Sequence, residues 1–326
     1  MKAAYFIFLF SFSLFALSVK SQALPDSTLP LSNEIVFASD TQAPIWIETL
    51  WLKPNNNRYA TGKIFGHILK RKPREVFLLG DVVSVGSSNK QWKRVNKYLK
   101  QLRSLGIQVN AALGNHDILF QSAKAQKKFQ EYFPNHVKTG YVEIRDSVAV
   151  ILLNSIYTTL SEKEDSVQVN WYRNTLEKLD SDPSIQFIIT GCHHSPYTNS
   201  KTVGSTVLVQ KRFVTSFLRS VKGRLFLSGH THAFEHFNIM GKDFVVIGGG
   251  GGMYESLKKG KSKLNDLSDS YKPMFHYLTV KRQADKLQVT SIRLKTDFTA
   301  FEEGEKFYIN KATGASVLTD KLFTGK

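Results

Sequence analysis

Short apolar, β-branched runs that stop abruptly at polar residues recur along the chain. They are EIVFASD (34–40), EVFLLGD (75–81), IQVNAALGNHD (107–117), VAVILLNS (148–155), IQFIITGCHH (185–194) and RLFLSGHTH (224–232). Runs of this length that are apolar throughout predict strands buried on both faces. Between them, NKQWKRVNKYLKQLRSLG (89–106), VNWYRNTLEKLDSD (169–182) and VLVQKRFVTSFLRSV (207–221) carry apolar residues at helical spacing, the first closing at Gly106. Strand and helix therefore alternate, which predicts a layered α/β fold with its polar strand ends gathered at the C-terminal edge of a sheet. FVVIGGGGGMYE (244–255) and HYLTVKRQADKLQVTSIRL (276–294) predict further strands and a closing hairpin, and residues 298–326 a peripheral tail. No linker, internal repeat or low-complexity block interrupts the pattern, so residues 24–326 are expected to form a single domain.

The N-terminus departs from this pattern. MKAAYFIFLFSFSLFALSVKSQA has one lysine, an apolar stretch from Ala3 to Val19, and small residues at Ser21 and Ala23. It predicts a signal peptide over residues 1–23, cleaved near Ala23, and a periplasmic or secreted product. The competing expectation is an uncleaved anchor, because the stretch approaches the roughly 17 to 20 residues that span a bilayer. Cys192 is the only cysteine, which excludes an intrachain disulfide. The formal charge is +17, and removing Lys2 and Lys20 with the leader leaves +15. That excess predicts attraction to anions and makes an anionic surface a candidate partner. The basic runs LKKGKSK (257–263) and KRKPRE (70–75) lack interleaved aromatics, so they carry no specific nucleic-acid signal, and no protein partner is identifiable.

Chemistry-bearing residues sit where the predicted strands end. Asp40 and Gln42 close the first, Asp81 the second, Asn115, His116 and Asp117 the third, His193 and His194 the fifth, His230 and His232 the sixth, with His236 just beyond. Six of the nine histidines are in this set. Each residue alone has a plain structural explanation as a helix cap or a satisfied polar group. Their joint recurrence at strand ends does not. Residues i and i+2 of a strand share a face, so Asp40 with Gln42, and His230 with His232, are each expected to aim two donors at one location. Imidazole, carboxylate and amide oxygen together suit borderline or hard divalent ions, and this many donors with a carboxylate able to bridge suits two of them.

In that order, SDTQ, LGDVVS, LGNHD, HHSPYTNS and GHTHAFEH resemble the signature of the calcineurin-like metallophosphoesterase superfamily, and the later motifs resemble those of purple acid phosphatases. The resemblance implies a four-layer α/β fold in which two sheets form a sandwich flanked by helices. It also implies metal-dependent hydrolysis of phosphate esters by a hydroxide activated at a dinuclear site. One ion would be held by Asp40, Gln42, Asp81 and His232 and a second by Asp81, Asn115, His194 and His230. His194 is preferred to His193 because the family pattern is histidine, any residue, proline. His116 would protonate the leaving group, with Asp117 fixing its tautomer. His193 becomes a candidate substrate contact or a core residue, and Tyr197 and Asn199 candidates for the substrate mouth or for loop packing, together with His236, a further candidate contact, which lies where close relatives often carry arginine.

Two departures from the family pattern narrow these implications. Gln42 stands where most members have histidine, which puts a weaker donor at the first metal. Ser84 stands where purple phosphatases have the metal-binding tyrosine that gives their colour, so a purple ferric site is not expected and manganese, zinc or ferrous iron are the candidate ions. The glycine run 248–252 is expected to be a turn beside the metal site, the competing role being a phosphate cradle. The substrate expected is a small phosphomonoester. The alternatives are a phosphodiesterase acting on nucleotides or lipids, and a catalytically weak anion-binding envelope protein.

Overall fold

A computed structural model describes residues 30–50 and 55–312. The expected leader and its cleavage site lie outside these residues. The strand-end runs fold as β1 (Ser32–Ala38), β2 (Pro73–Leu79) and β3 (Gln108–Ala112), paired in parallel. In a second sheet, β4 (Tyr141–Arg145) pairs antiparallel with β5 (Val148–Leu152), which runs parallel to β6 (Phe187–Cys192) and β7 (Gly223–Ser228). The hairpin β8 (Phe234–Ile239) and β9 (Lys242–Ile247) completes that sheet, in the order β4-β5-β6-β7-β9-β8. The predicted closing hairpin, β10 (His276–Gln283) and β11 (Lys286–Leu294), returns to the first sheet and pairs antiparallel with β1. Part of the expected peripheral tail is instead β12 (Phe301–Asn310), hydrogen-bonded along β11 to give the order β12-β11-β10-β1-β2-β3.

Strand alternation sorts the apolar side chains into layers. In β1, Val36 and Ala38 face a core beneath helices α1 (Asn57–Arg71), α2 (Asn89–Ser104) and α3 (Ser122–Tyr132), whereas Ile35 and Phe37 face the other sheet. In β7, Leu225 and Leu227 meet that inter-sheet core, and Phe226 packs outward under α4 (Glu162–Ser181), α5 (Val207–Val209) and α6 (Thr215–Arg219). Both sheets are thus apolar on two faces, giving the expected helix–sheet–sheet–helix layering. The helices have local causes. In α2, Trp92, Val95, Leu99 and Leu102 are buried at helical spacing. In α4, Ser161 and Glu164 form a reciprocal capping box. The predicted helix at 207–221 holds five residues, Gln210–Val214, in π geometry between α5 and α6.

Candidate metal centre

The polar edge of both sheets is stitched together by backbone bonds: Asp40 N–H donates to Gly80 O (3.1 Å), Gly229 N–H to His193 O (2.9 Å) and Gly250 N–H to Ser39 O (2.9 Å). Just past their strands, Asp40, Asp81 and His230 turn into the left-handed region, with φ of 57°, 51° and 66°. Such conformations in non-glycine residues cost free energy and concentrate at functional sites. At His230 the turn overturns the expectation from strand alternation, whereas Asp40 and Gln42 still meet at one location. The chain is no longer extended at Asp40 or His230, and the two GHTH histidines part company. His232 Nε2 lies 3.4 Å from Asp40 Oδ1, whereas the His230 ring sits 4.4 Å from that of His194 and 5.1 Å from that of His193.

Two groups of donors share Asp81. On one side are Asp40, His232 and Gln42. The hydrogen-bond network orients the Gln42 amide so that its NH2 donates to the carbonyls of Asp40 (3.0 Å) and Asp81 (2.9 Å), and its Oε1 lies 3.3 Å from His232 Nε2. The amide oxygen therefore faces the same space as the neighbouring donors. On the other side, Asp81, His193 and His230 each bring a potential ligand atom within 4.8 Å of the others. His193 Nε2 is 2.9 Å from Asn115 Oδ1 and 3.4 Å from Asp81 Oδ2. His193 is fully buried and lies inside the donor cluster.

Backbone carbonyls orient these rings. His194 Nδ1 faces Ser155 O at 2.9 Å, His232 Nδ1 faces Met253 O at 2.8 Å, and His193 Nδ1 faces Leu79 O at 3.0 Å. With its Nδ1–H donated outward, His194 presents the Nε2 lone pair inward, the usual arrangement around a ligated metal, whereas Nε2 of His193 and of His232 faces the Asp81 and Asp40 carboxylates. Sequence reasoning missed Ser155, Leu79 and Met253, because a carbonyl acceptor carries no residue-type signal.

Electrostatics fit a cation here. Burial, followed by the neighbouring His193, pushes His194 down to about 4, and burial with both of these histidines pushes His230 down to about 3, so both rings are neutral donors at neutral pH. Burial opposes charge on His193 and His232. The Asp81 carboxylate beside the first and the Asp40 carboxylate beside the second outweigh it and lift both rings to about 9. The buried carboxylates draw positive charge into the very gaps a divalent ion can fill.

The glycine run is a packing device. Gly250 and Gly252 donate their N–H groups to Ser39 O and Asp40 O, each at 2.9 Å, which leaves neither for a phosphate. A Cβ on Gly252 would lie 2.5 Å from the His232 ring, and one on Gly114 would lie 2.0 Å from Asp81 N. Only glycine lets the backbone approach these residues so closely.

Other expectations are corrected. Asp117 does not orient His116: its Oδ1 accepts from Val83 N–H and its Oδ2 from Gly114 N–H, both at 3.0 Å. The His116 ring is oriented by Ser84 O, 3.1 Å from Nδ1, and its Nε2 lies 4.0 Å from Glu48 Oε1. His236 points away from the centre, pairing with Asp243 at 3.0 Å and stacking on Phe307 at 4.2 Å. Asn199 is buried, with both ends of its amide bonded to the Leu264 backbone, and Tyr197 packs edge-on against Phe244. These contacts agree with loop packing, the other reading open to both residues.

The sequence profile of the calcineurin-like phosphoesterases matches residues 34–234, which span every donor named above. The chain belongs to this family. Solved structures with the same fold include purple acid phosphatase PPD1 from yellow lupin (Lupinus luteus) seeds, with TM-score 0.64, 14% identity and coverage of 85% of this chain and 53% of that one. This calcineurin-like chain thus matches about half the length of the lupin protein. GAP50, the anchor in the inner membrane complex of Plasmodium, matches with TM-score 0.62 and 10% identity over 88% of this chain and 91% of that one. A dimetal phosphatase from Danio rerio matches with TM-score 0.53 and 11% identity over 85% and 98%. No curated protein sequence matches. Within this calcineurin-like phosphoesterase domain, Asp81, His193 and His230 form a group able to hold a metal ion.

Proposed function

We propose that the protein is an exported phosphomonoesterase. Asp40, Gln42, Asp81 and His232 hold one divalent ion, manganese, zinc or ferrous iron, and Asp81, Asn115, His194 and His230 hold a second. His193 steadies Asn115 and Asp81 through its Nε2. When bound, the ions supply Lewis acidity toward water and the phosphoryl oxygens. His116 is left free of both donor groups. The Ser84 carbonyl holds its Nδ1, so Nε2 is the atom that passes a proton to the leaving oxygen. The observation that carries this reading is the grouping of donors around Asp81, with His116 tied to that carboxylate through its backbone and its ring held by Ser84 O. Export rests on the composition of residues 1–23.

A second reading rests on Gln42. A neutral amide oxygen binds a divalent ion less firmly than imidazole, and a chain holding one ion weakly would bind phosphate without turning it over. Hydrolysis of an aryl phosphate monoester and an aryl phosphate diester, each with added manganese or zinc, separates the readings. Faster release from the monoester supports the proposal, preference for the diester assigns a phosphodiesterase, and phosphate binding without release at any metal concentration assigns the anion-binding protein.

A further inference from the structure

A cavity of about 670 Å³ opens beside the first donor group, between the loop after β1, the loop after β2, and helices α1 and α2. Its floor includes Gln42 and Ser84, the residues that face His232 and hold His116. Thr41, Thr61 and Gln91 share walls that are otherwise mostly apolar, from Ile45, Trp46, Val83, Val95, Tyr98 and Phe120. Two of these are exposed to a degree unusual for large apolar side chains, Trp46 at 75% and Phe120 at 66%. Arg58, Arg94 and Lys97 also line the cavity, with Lys97 Nζ 4.5 Å from the Tyr98 ring centroid, and no carboxylate among the described residues lines it.

A volume of this size matches a pocket for a ligand well beyond inorganic phosphate. The neutral polar groups of the lining are engaged within the protein, Thr41 Oγ1 with Val82 O, Thr61 Oγ1 with Thr41 O and Gly250 O, and Gln91 Oε1 with Val85 N–H, which favours an apolar group over a sugar or a polyol, whose hydroxyls would lose water with few partners to replace it. Cations around it raise the local concentration of an anionic ester. Ser84, whose carbonyl holds the His116 ring, lines the cavity, which places the cavity within reach of a group carried on the leaving oxygen.

We infer that this cavity receives the alcohol part of the substrate, and that the preferred substrates are phosphate esters of bulky apolar alcohols, aryl or long-chain alkyl. This inference rests on the phosphomonoesterase reading. The apolar walls lower KM for such esters, and Trp46 and Phe120 cover the outer part of the bound group.

The test uses two readouts on the full-length metal-supplied protein. In the first, phosphate release is compared for 1-naphthyl phosphate and glycerol 2-phosphate. The ratio of their kcat/KM values favours the naphthyl ester by about tenfold or more, and falls by about tenfold in the double variant Trp46→Ala/Phe120→Ala. In the second, the fluorescent probe 1-anilinonaphthalene-8-sulfonate, an apolar ring system carrying one anion, binds the wild type and binds the double variant about tenfold more weakly. Val85→Trp, which fills the cavity from its half-buried wall, weakens probe binding in the same way by an independent route. Equal use of the two esters, or probe binding unchanged in both variants, overturns the inference while leaving a phosphatase. Release from neither ester with either metal shows that the phosphomonoesterase reading has failed, and the assignment of the cavity to a leaving group fails with it.

Discussion

The backbone N–H of His116 donates to Oδ1 of Asp81 at 2.7 Å, so the proposed proton donor is tied directly to the carboxylate shared by both donor groups. Oδ2 of the same carboxylate faces His193 at 3.4 Å. Asp81→Asn keeps the shape but removes the charge that draws cations to the centre. It is expected to abolish bound metal and to lower phosphate-ester turnover more than about 100-fold with the fold intact. Metal content and activity near wild type would contradict the bridging role.

His116→Ala tests a different step. Because His116 touches the donors only through its backbone, the variant retains metal. Turnover falls by about 10² to 10⁴ for esters with poor leaving groups and much less for nitrophenyl esters, which depart without protonation. An equal loss for both types of ester would assign His116 to something other than proton transfer.

At Gln42, the prediction runs toward gain. Replacing its amide oxygen with an imidazole nitrogen through Gln42→His raises the metal retained after dialysis and raises activity at limiting zinc or manganese. No change in retained metal would show that this side chain is not a ligand.

Asp117 secures the loops that carry Asp81 and Asn115 by accepting from the amides of Val83 and Gly114. In Asp117→Asn one of these amides meets an NH2 group. The expected cost is about 1 to 3 kcal/mol of unfolding free energy, measured by denaturant titration. A loss of activity with undiminished stability would return Asp117 to the catalytic role that the sequence suggested.

His136 sets a pH dependence remote from the centre. Burial, the larger effect, outweighs its bond to Ala111 O and pushes the ring down to about 4 from its ordinary 6.5. Between those values the unfolded chain binds a proton that the folded chain does not, so the contribution of His136 to stability is lost as pH falls through that window. His136→Gln cannot take up this proton. Its stability penalty is therefore largest at pH 7 and above and shrinks by up to about 1.4 kcal/mol per pH unit toward pH 5. A penalty constant with pH would contradict the neutral, buried ring.

The sequence made the strands and the donor inventory legible because both depend on residue type: apolar runs end in Asp40, Asp81, Asn115, His194 and His230 wherever chemistry is needed. Strand alternation did not show how those donors divide; the family resemblance implied the division. That division depends on left-handed turns at Asp40 and His230, which two-residue alternation cannot anticipate. His193 read as a neighbour of the site because the family pattern of histidine, any residue, proline points to His194. In the fold it follows Cys192, the last residue of β6, and its ring turns back to Leu79 O and Asn115. Asp117 and His236 were misplaced for one reason: a charged or aromatic side chain near a motif looks functional until its backbone and packing partners are visible. β12 was missed because its polar, glutamate-rich sequence belongs to an edge strand with few buried positions.

The most direct test of the central claim is the metal content of the purified mature protein by elemental mass spectrometry, paired with hydrolysis of an aryl phosphate monoester with and without added manganese or zinc. The dinuclear phosphatase described here predicts about two metal ions per chain and monoester turnover that is lost on chelation and restored by metal. A chain that retains no metal and releases no phosphate under any of these additions would contradict it.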